Sequence, residues 1–423
     1  MSRTACLVAA LVVSAACRSA PTERVTAFTG ATIYDGTGAD PIADAVLVVR
    51  DGRISRVGPS GEVDVPSDAN RVDVQGRFIV PGLINTHGHV GDTEGLEGGR
   101  YSEENVLRQL ALYARYGITT VVSLGGDGPA GISVRDRQDS MTVPRARLFV
   151  AGPVVTGSHP DSVRAQVDRN AAMGVDFIKI RVDDNLGATD KMPPAAYRTV
   201  IEAAHAHSLP VATHVFYASD TKALLEAGTD FVAHSVRDVP MDEELTSSMR
   251  TREVCYTPTL TREVSTFVYE SEPTFFADSF FLRDVDPATL DALRDPAVRA
   301  SVRESRSAQQ YKLALQVAME NLRRARDAGV TIALGTDSGP PRRFQGYFEH
   351  LEMEMMADAG LPAREILLAA TGSAATCMGL DDLGTLEPGN WADLIVLDAD
   401  PLNDVTNLRR IESVWIGGSP VER

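Results

Sequence analysis

Eight short apolar runs recur between residues 82 and 337, and they constrain the fold more than any other feature of this 423-residue chain. In order they read GLINTH, TTVVSL, RLFVAG, FIKI, VATHV, FVAHS, CYTPTL and TIALGTD. Each has strand length, and near-continuous hydrophobicity marks strands buried on both faces. Between them lie stretches of helical character, among them 102–117, 160–174, 194–208 and 219–228, several ending in Gly or a small polar residue as helix C-termini do. Alternating strands and helices imply a parallel sheet. Eight such units are what an α/β protein needs to close a (β/α)8 TIM barrel.

The flanks have another texture. Residues 26–80 carry β-branched runs separated by turns, with Asp51-Gly52 as a hairpin signal, and the stretch from about 384 to the end resembles them. We expect a small composite β-sandwich built from 26–80 plus 376–423, with the barrel spanning 81–375. Residues from about 263 to 320 exceed one crossover helix and read as a helical insertion after the seventh strand, placed to act as a lid, a subunit contact or a cover for the barrel flank.

Acidic residues outnumber basic ones by 58 to 41, a formal charge of -17. Nucleic acid and an anionic membrane surface both require a basic field, so neither is expected as the main partner. The N-terminal MSRTACLVAALVVSAACRSAP has an early Arg, an apolar segment and small residues, the layout of an export signal over 1–20. Cleavage after Ala16 would leave Cys17 first. That arrangement resembles a bacterial lipoprotein signal, with lipidation of Cys17 anchoring the chain in the cell envelope, and a periplasmic or secreted form as the alternative. Cys255 and Cys377 then remain, too few for a disulfide framework but able to form one bridge.

Chemistry concentrates at the strand ends. His87 and His89 are two residues apart, a spacing that puts both imidazoles on one face of a strand. Alone this is a weak metal signal. Four later runs, however, each contain or end in one ionisable group: Lys179, His214, His234 and Asp337. A charged Lys in a buried strand is costly unless neutralised or bound, and active sites of barrels form at the C-terminal strand ends. His205, His207 and His350 fall in helical stretches and read as structural.

In chain order, PGLINTHGH, DFIKI, ATHVF, FVAHS and ALGTD resemble the amidohydrolase superfamily, and PGNWADLIVLDADPL is similar to the segment by which its members complete a sheet from both chain ends. The resemblance implies two divalent metals. His87, His89 and Asp337 would bind the more buried ion and His214 and His234 the more exposed one, with Lys179 bridging as a carbamate formed with CO2. Imidazoles, a carboxylate and anionic oxygens suit Zn2+ best, with Mn2+, Co2+ or Fe2+ also compatible. Such a pair can activate a bridging hydroxide, with Asp337 as proton shuttle.

The branch it most resembles is imidazolonepropionase-like and prolidase-like, which implies hydrolysis of an amide bond in a dipeptide or N-acyl amino acid. A cyclic amide, lactone or phosphotriester on the same centre is the alternative, and a non-catalytic envelope lipoprotein a third. Tyr217 could donate to the developing oxyanion. Arg181 and Arg237 could receive a substrate carboxylate, and His159 could contact substrate. After His214 the chain departs from the prolidase-like pattern, with Phe216-Tyr217-Ala218-Ser219 in place of a Gly-rich stretch. A homo-oligomer is expected.

Overall fold

The computed structural model describes residues 24–139 and 143–422. The proposed export signal and Cys17 therefore lie outside the described residues.

An eight-stranded sheet takes strands from both chain ends. β1 (Val25–Ile33), β2 (Ile42–Arg50) and β3 (Arg53–Pro59) form an antiparallel meander whose second turn is Asp51-Gly52, both at positive φ as a tight hairpin demands. β4 (Asn70–Asp73) and β5 (Phe78–Pro81) pair parallel to β1. From the other end, β13 (Leu394–Leu397), β14 (Ile411–Ile416) and β15 (Ser419–Pro420) extend the sheet from β5. Phe28, Leu47, Ile79, Leu394 and Val396 make one shared buried cluster, so neither end can bury its apolar face without the other.

The intervening chain is TIM-barrel-like. β6 (Leu83–Gly88), β7 (Ile118–Ser123) and β8 (Arg147–Val150) form one parallel sheet, and β9 (Ile178–Arg181), β10 (Val211–His214), β11 (Phe231–Ala233) and β12 (Cys255–Thr257) another. A parallel bridge from Val155 to Ile180 joins them. The eighth run is an irregular segment, held by bridges from Tyr256 to Ile332 and from Gly88 to Ser338. Its irregularity has a cause: Thr336 N and Asp337 N both donate to the His87 carbonyl, at 3.2 and 2.6 Å, which no regular ladder allows.

Helices Glu103–Arg115, Pro160–Ala172, Pro194–Ala206 and Ala218–Ala227 fall where the sequence placed them. Ser102 caps the first through its hydroxyl on Asn105 N, and left-handed Gly228 ends the last. Beyond β12 come five helices, Leu260–Phe267, Ser279–Leu282, Pro287–Arg294, Pro296–Glu304 and Arg306–Asp327, so the insertion is helical. Phe275, Phe276 and Phe281 lock it onto Tyr347 and Phe348.

The end of the barrel away from the histidines is closed by the chain that follows it. Ile84, Val122, Ala212, Phe231 and Ala333 pack with Met378, Leu380 and Leu383. Cys255 of β12 is disulfide-bonded to Cys377 of helix Gly372–Met378, spanning 122 residues of sequence. Arg147 makes a bidentate, buried ion pair with Asp393, and Trp391 lies under the guanidinium groups of both Arg53 and Arg147. Barrel and sheet are thereby joined through β8.

Candidate metal centre

Among the described residues, His87, His89 and Asp337 each bring a ligand atom within 4.8 Å of the others. His89 Nε2 lies 2.8 Å from Asp337 Oδ1, and His87 Nε2 lies 3.8 Å from the same oxygen. Lys179 Nζ is 3.3 Å from His87 Nε2. The His234 ring centroid sits 4.6 Å from that of His87 and 4.1 Å from that of His214. Five strand ends thus deliver all six sequence-singled residues to one place.

The backbone is bent to achieve this. The β6–β7 register shifts between Asn85 and Gly88, and His89 already lies past the strand. Gly88 has to be small because a β-carbon there would meet Val121 Cγ1 at 2.9 Å. His234, Thr259 and Asp337 all have positive φ, at 75°, 48° and 56°, although none is Gly. Left-handed non-glycine residues each cost on the order of 1–3 kcal/mol, and they gather where the surroundings over-determine the geometry.

Three of the four imidazoles are oriented from behind. His89 Nδ1 is 2.9 Å from the Gly125 carbonyl, His214 Nε2 is 2.9 Å from Asp183 Oδ2, and His234 Nδ1 is 2.7 Å from Thr259 Oγ1. Fixing one ring nitrogen leaves the other free, which is how proteins set the tautomer of a ligating His. Burial holds His87 and His234 well below the usual histidine range, and pushes His214 down to about 3. All three are therefore neutral, the form that binds metal.

Asp337 is ionised in the same site. Burial alone would raise it, but the Arg343 charge and the His89 hydrogen bond outweigh burial and hold the carboxyl well below its ordinary value. Lys179 is also buried, and burial brings its amine down to about 7. Four imidazoles, one ionised carboxylate and an amine that is half unprotonated near pH 7 form a donor set suited to cations. His87 Nδ1, buried without a hydrogen-bond partner among the described residues, adds to the case that the site is completed by a bound group.

A model of the amidohydrolase family matches residues 78–421, which takes in all six of these residues. The chain belongs to the amidohydrolase family. An imidazolonepropionase of Streptomyces avermitilis is 25% identical over 86% of this chain and 84% of its own. An ochratoxinase of Aspergillus niger is 24% identical over 93% and 86%. The crystal structure of a putative prolidase from Bifidobacterium longum superimposes with a TM-score of 0.75, at 27% identity over 95% of both chains. As an amidohydrolase, the protein is a metal-dependent enzyme that hydrolyses carbon–nitrogen bonds of the amide type, and the His-His-Asp group is present as a set that could hold a divalent ion.

The residues singled out as substrate contacts have mixed surroundings. Arg181 is exposed and reaches Asp183 Oδ2 at 3.3 Å. The Tyr217 hydroxyl donates to Asp184 Oδ1 at 2.8 Å, under a Lys191 ammonium 3.7 Å from the ring centre. His159 is exposed at the start of helix Pro160–Ala172. Arg237 is fully buried, with Nε 2.9 Å from Glu263 Oε1 and Nη1 donating to the carbonyls of Val215 and Ser235. Nη2 is buried without a hydrogen-bond partner among the described residues, so one arm of the guanidinium remains uncommitted.

Several supporting residues escaped the sequence reading. Asp183 lies four residues after Lys179, and paired acids following a barrel strand were its only signal. Thr259 and Arg343 had none. Asp127, buried and pushed up to about 6 by burial, accepts from the amides of Ala151 and Gly152 and braces the loop carrying Gly125. His205 and His207 pair with Asp230 and Asp168 at the surface, and His350 donates to the Tyr116 carbonyl, all remote from the centre.

Proposed function

We propose that the enzyme holds two divalent ions, Zn2+ by preference, bridged by a carbamate on Lys179, and hydrolyses the amide bond of a dipeptide or N-acyl amino acid. The observation that carries this is the convergence of six donors from five strand ends, including a lysine whose buried amine is partly neutral at pH 7 and so able to add to CO2. When bound, such a pair supplies a water of lowered pKa and polarises the scissile carbonyl. His87, His89 and Asp337 would hold one ion, His214 and His234 the other. Asp337 then takes the proton released as water adds to the carbonyl and returns it to the leaving nitrogen. Tyr217, its hydroxyl turned from Asp184 to substrate, donates to the oxyanion, Arg181 receives a substrate carboxylate, and Arg237 and His159 complete the substrate surroundings. Similarity to the prolidase fold supports the peptide-like substrate.

The Cys255–Cys377 bridge supports export, since such bonds persist in oxidising compartments. A lipid on Cys17 would hold the enzyme at the cell envelope, and we infer a homo-oligomer there.

A screen of dipeptides and N-acyl amino acids with the metal-reconstituted enzyme tests the substrate. Turnover of these compounds is expected; activity confined to esters, lactones or phosphotriesters would overturn the amide reading. Absence of any bound divalent metal, together with an unaltered Lys179→Ala variant, would overturn the centre itself.

A further inference from the structure

Glu349 is completely buried on helix Tyr347–Asp358, outside the cluster of donors, and its position is unusual for an unpaired carboxylate. One oxygen, Oε1, accepts three hydrogen bonds: from Asn85 Nδ2 at 2.7 Å, Thr336 Oγ1 at 2.7 Å and Ser338 Oγ at 2.6 Å. These partners flank the metal ligands. Asn85 Oδ1 accepts from the His87 amide at 2.9 Å, and Thr336 and Ser338 are the immediate neighbours of Asp337. The Ser338 carbonyl accepts from His89 N at 2.8 Å, and the Tyr113 hydroxyl lies 2.6 Å from Ser338 Oγ.

Burying a carboxyl is costly unless it is compensated, and no cationic side chain is within ion-pair distance of Glu349 among the described residues. A fold that needed only to pack this helix could place Leu or Met here at lower cost. What Glu349 adds is a single atom to which both ligand-bearing segments are tied. Backbone bonds already join β6 to the irregular eighth segment, from Thr86 N to the Leu334 carbonyl, from Thr336 N and Asp337 N to the His87 carbonyl and from His89 N to the Ser338 carbonyl, and Glu349 adds a side-chain tie across the same join. We propose that Glu349 is a positioning residue: through Asn85, Thr336 and Ser338 it fixes the separation of His87 and His89 from Asp337, and so the affinity of the site they form for a divalent metal.

This rests on the metal-centre reading above, and the test separates the two. Metal-free protein is titrated with Co2+ and followed by its visible absorption, with wild type, Glu349→Ala, Glu349→Gln and Ser338→Ala in parallel. Wild type is expected to bind and show a ligand-field spectrum; if it does not, the metal reading fails. Given wild-type binding, Glu349→Ala is expected to bind Co2+ about 10- to 100-fold more weakly, the usual cost of removing a group that orients a ligand. Glu349→Gln, which keeps one acceptor oxygen, is expected to recover much of the affinity, and Ser338→Ala to lose part of it. Wild-type affinity and spectrum in folded Glu349→Ala would overturn the proposal. Where that variant does not fold, unchanged Co2+ binding by Ser338→Ala would do the same.

Discussion

Asp183 Oδ2 stands 2.9 Å from His214 Nε2, with no side-chain exposure on the carboxylate. Burial would raise this acid, but the bond to His214, the Asn185 amide and the Arg181 charge hold it well below the ordinary range, so it is an anion aimed at one ring nitrogen. His214 must therefore use Nδ1 as its donor. Asp183→Asn, which removes the charge and retains the shape, is expected to lower metal affinity about 10- to 100-fold. Metal content after dialysis, measured beside kcat, checks this; unchanged occupancy would contradict it.

Chelator treatment should abolish hydrolysis, and Zn2+ with bicarbonate should restore it. Because burial lowers the Lys179 amine to about 7, its unprotonated fraction grows between pH 6 and pH 8. Reconstitution at equal dissolved CO2 is accordingly expected to be faster at pH 8. Lys179→Ala should lose activity by roughly 100-fold or more. Equal reconstitution rates at the two pH values would remove the carbamate from the account.

Arg237 and Arg181 should behave differently when truncated. Arg237 is the buried partner of Glu263, and breaking such a pair strands a charge at a cost of about 3–5 kcal/mol. Arg237→Ala should therefore unfold at a markedly lower temperature. Arg181→Ala, at an exposed position, should keep the wild-type melting temperature and raise KM for substrates carrying a free carboxylate. Urea and thermal unfolding, read with KM, separate the two; an unchanged KM in Arg181→Ala would remove it from the substrate site.

Burial lowers His350 to about 3. Its folded pKa thus lies below the unfolded value near 6.5, so the unfolded chain binds the extra proton and stability falls as pH drops from about 6.5 toward 3. Between pH 7.5 and 5 this one group should cost roughly 2 kcal/mol, at 1.36 kcal/mol per unit over the span below 6.5. His350→Asn should show that much less acid sensitivity in urea titrations at the two pH values. The same slope in both proteins would be the contrary result.

Reduction of the Cys255–Cys377 bridge releases a loop of 122 residues. Loss of a native bridge of this kind costs about 2–5 kcal/mol. Cys255→Ala with Cys377→Ala should melt several degrees lower than the oxidised enzyme, with no further effect of reductant. A wild type indifferent to reductant would argue that the bridge adds nothing.

The sequence by itself determined the barrel-like order of elements, because an apolar run bounded by helices can be satisfied only inside a covered parallel sheet. It also determined the six candidate ligands, since ionisable groups at the ends of such runs have no cheap structural explanation. The composite sheet was legible in the shared texture of the two chain ends. Tertiary structure decided what surrounds those six. Asp183, Thr259, Gly125 and Arg343 act through contacts between segments far apart or through backbone atoms, and no local pattern announces either. Arg237 depends on tertiary structure in the same way: beside His234 in sequence it reads as a substrate contact, and only the helix after β12 supplies Glu263 as its buried ion-pair partner. Cys255 and Cys377 likewise met only because the chain after the barrel returns to close its floor. Local composition sets which groups must be buried or bound, and the packing of distant strands and helices settles what they are bound to.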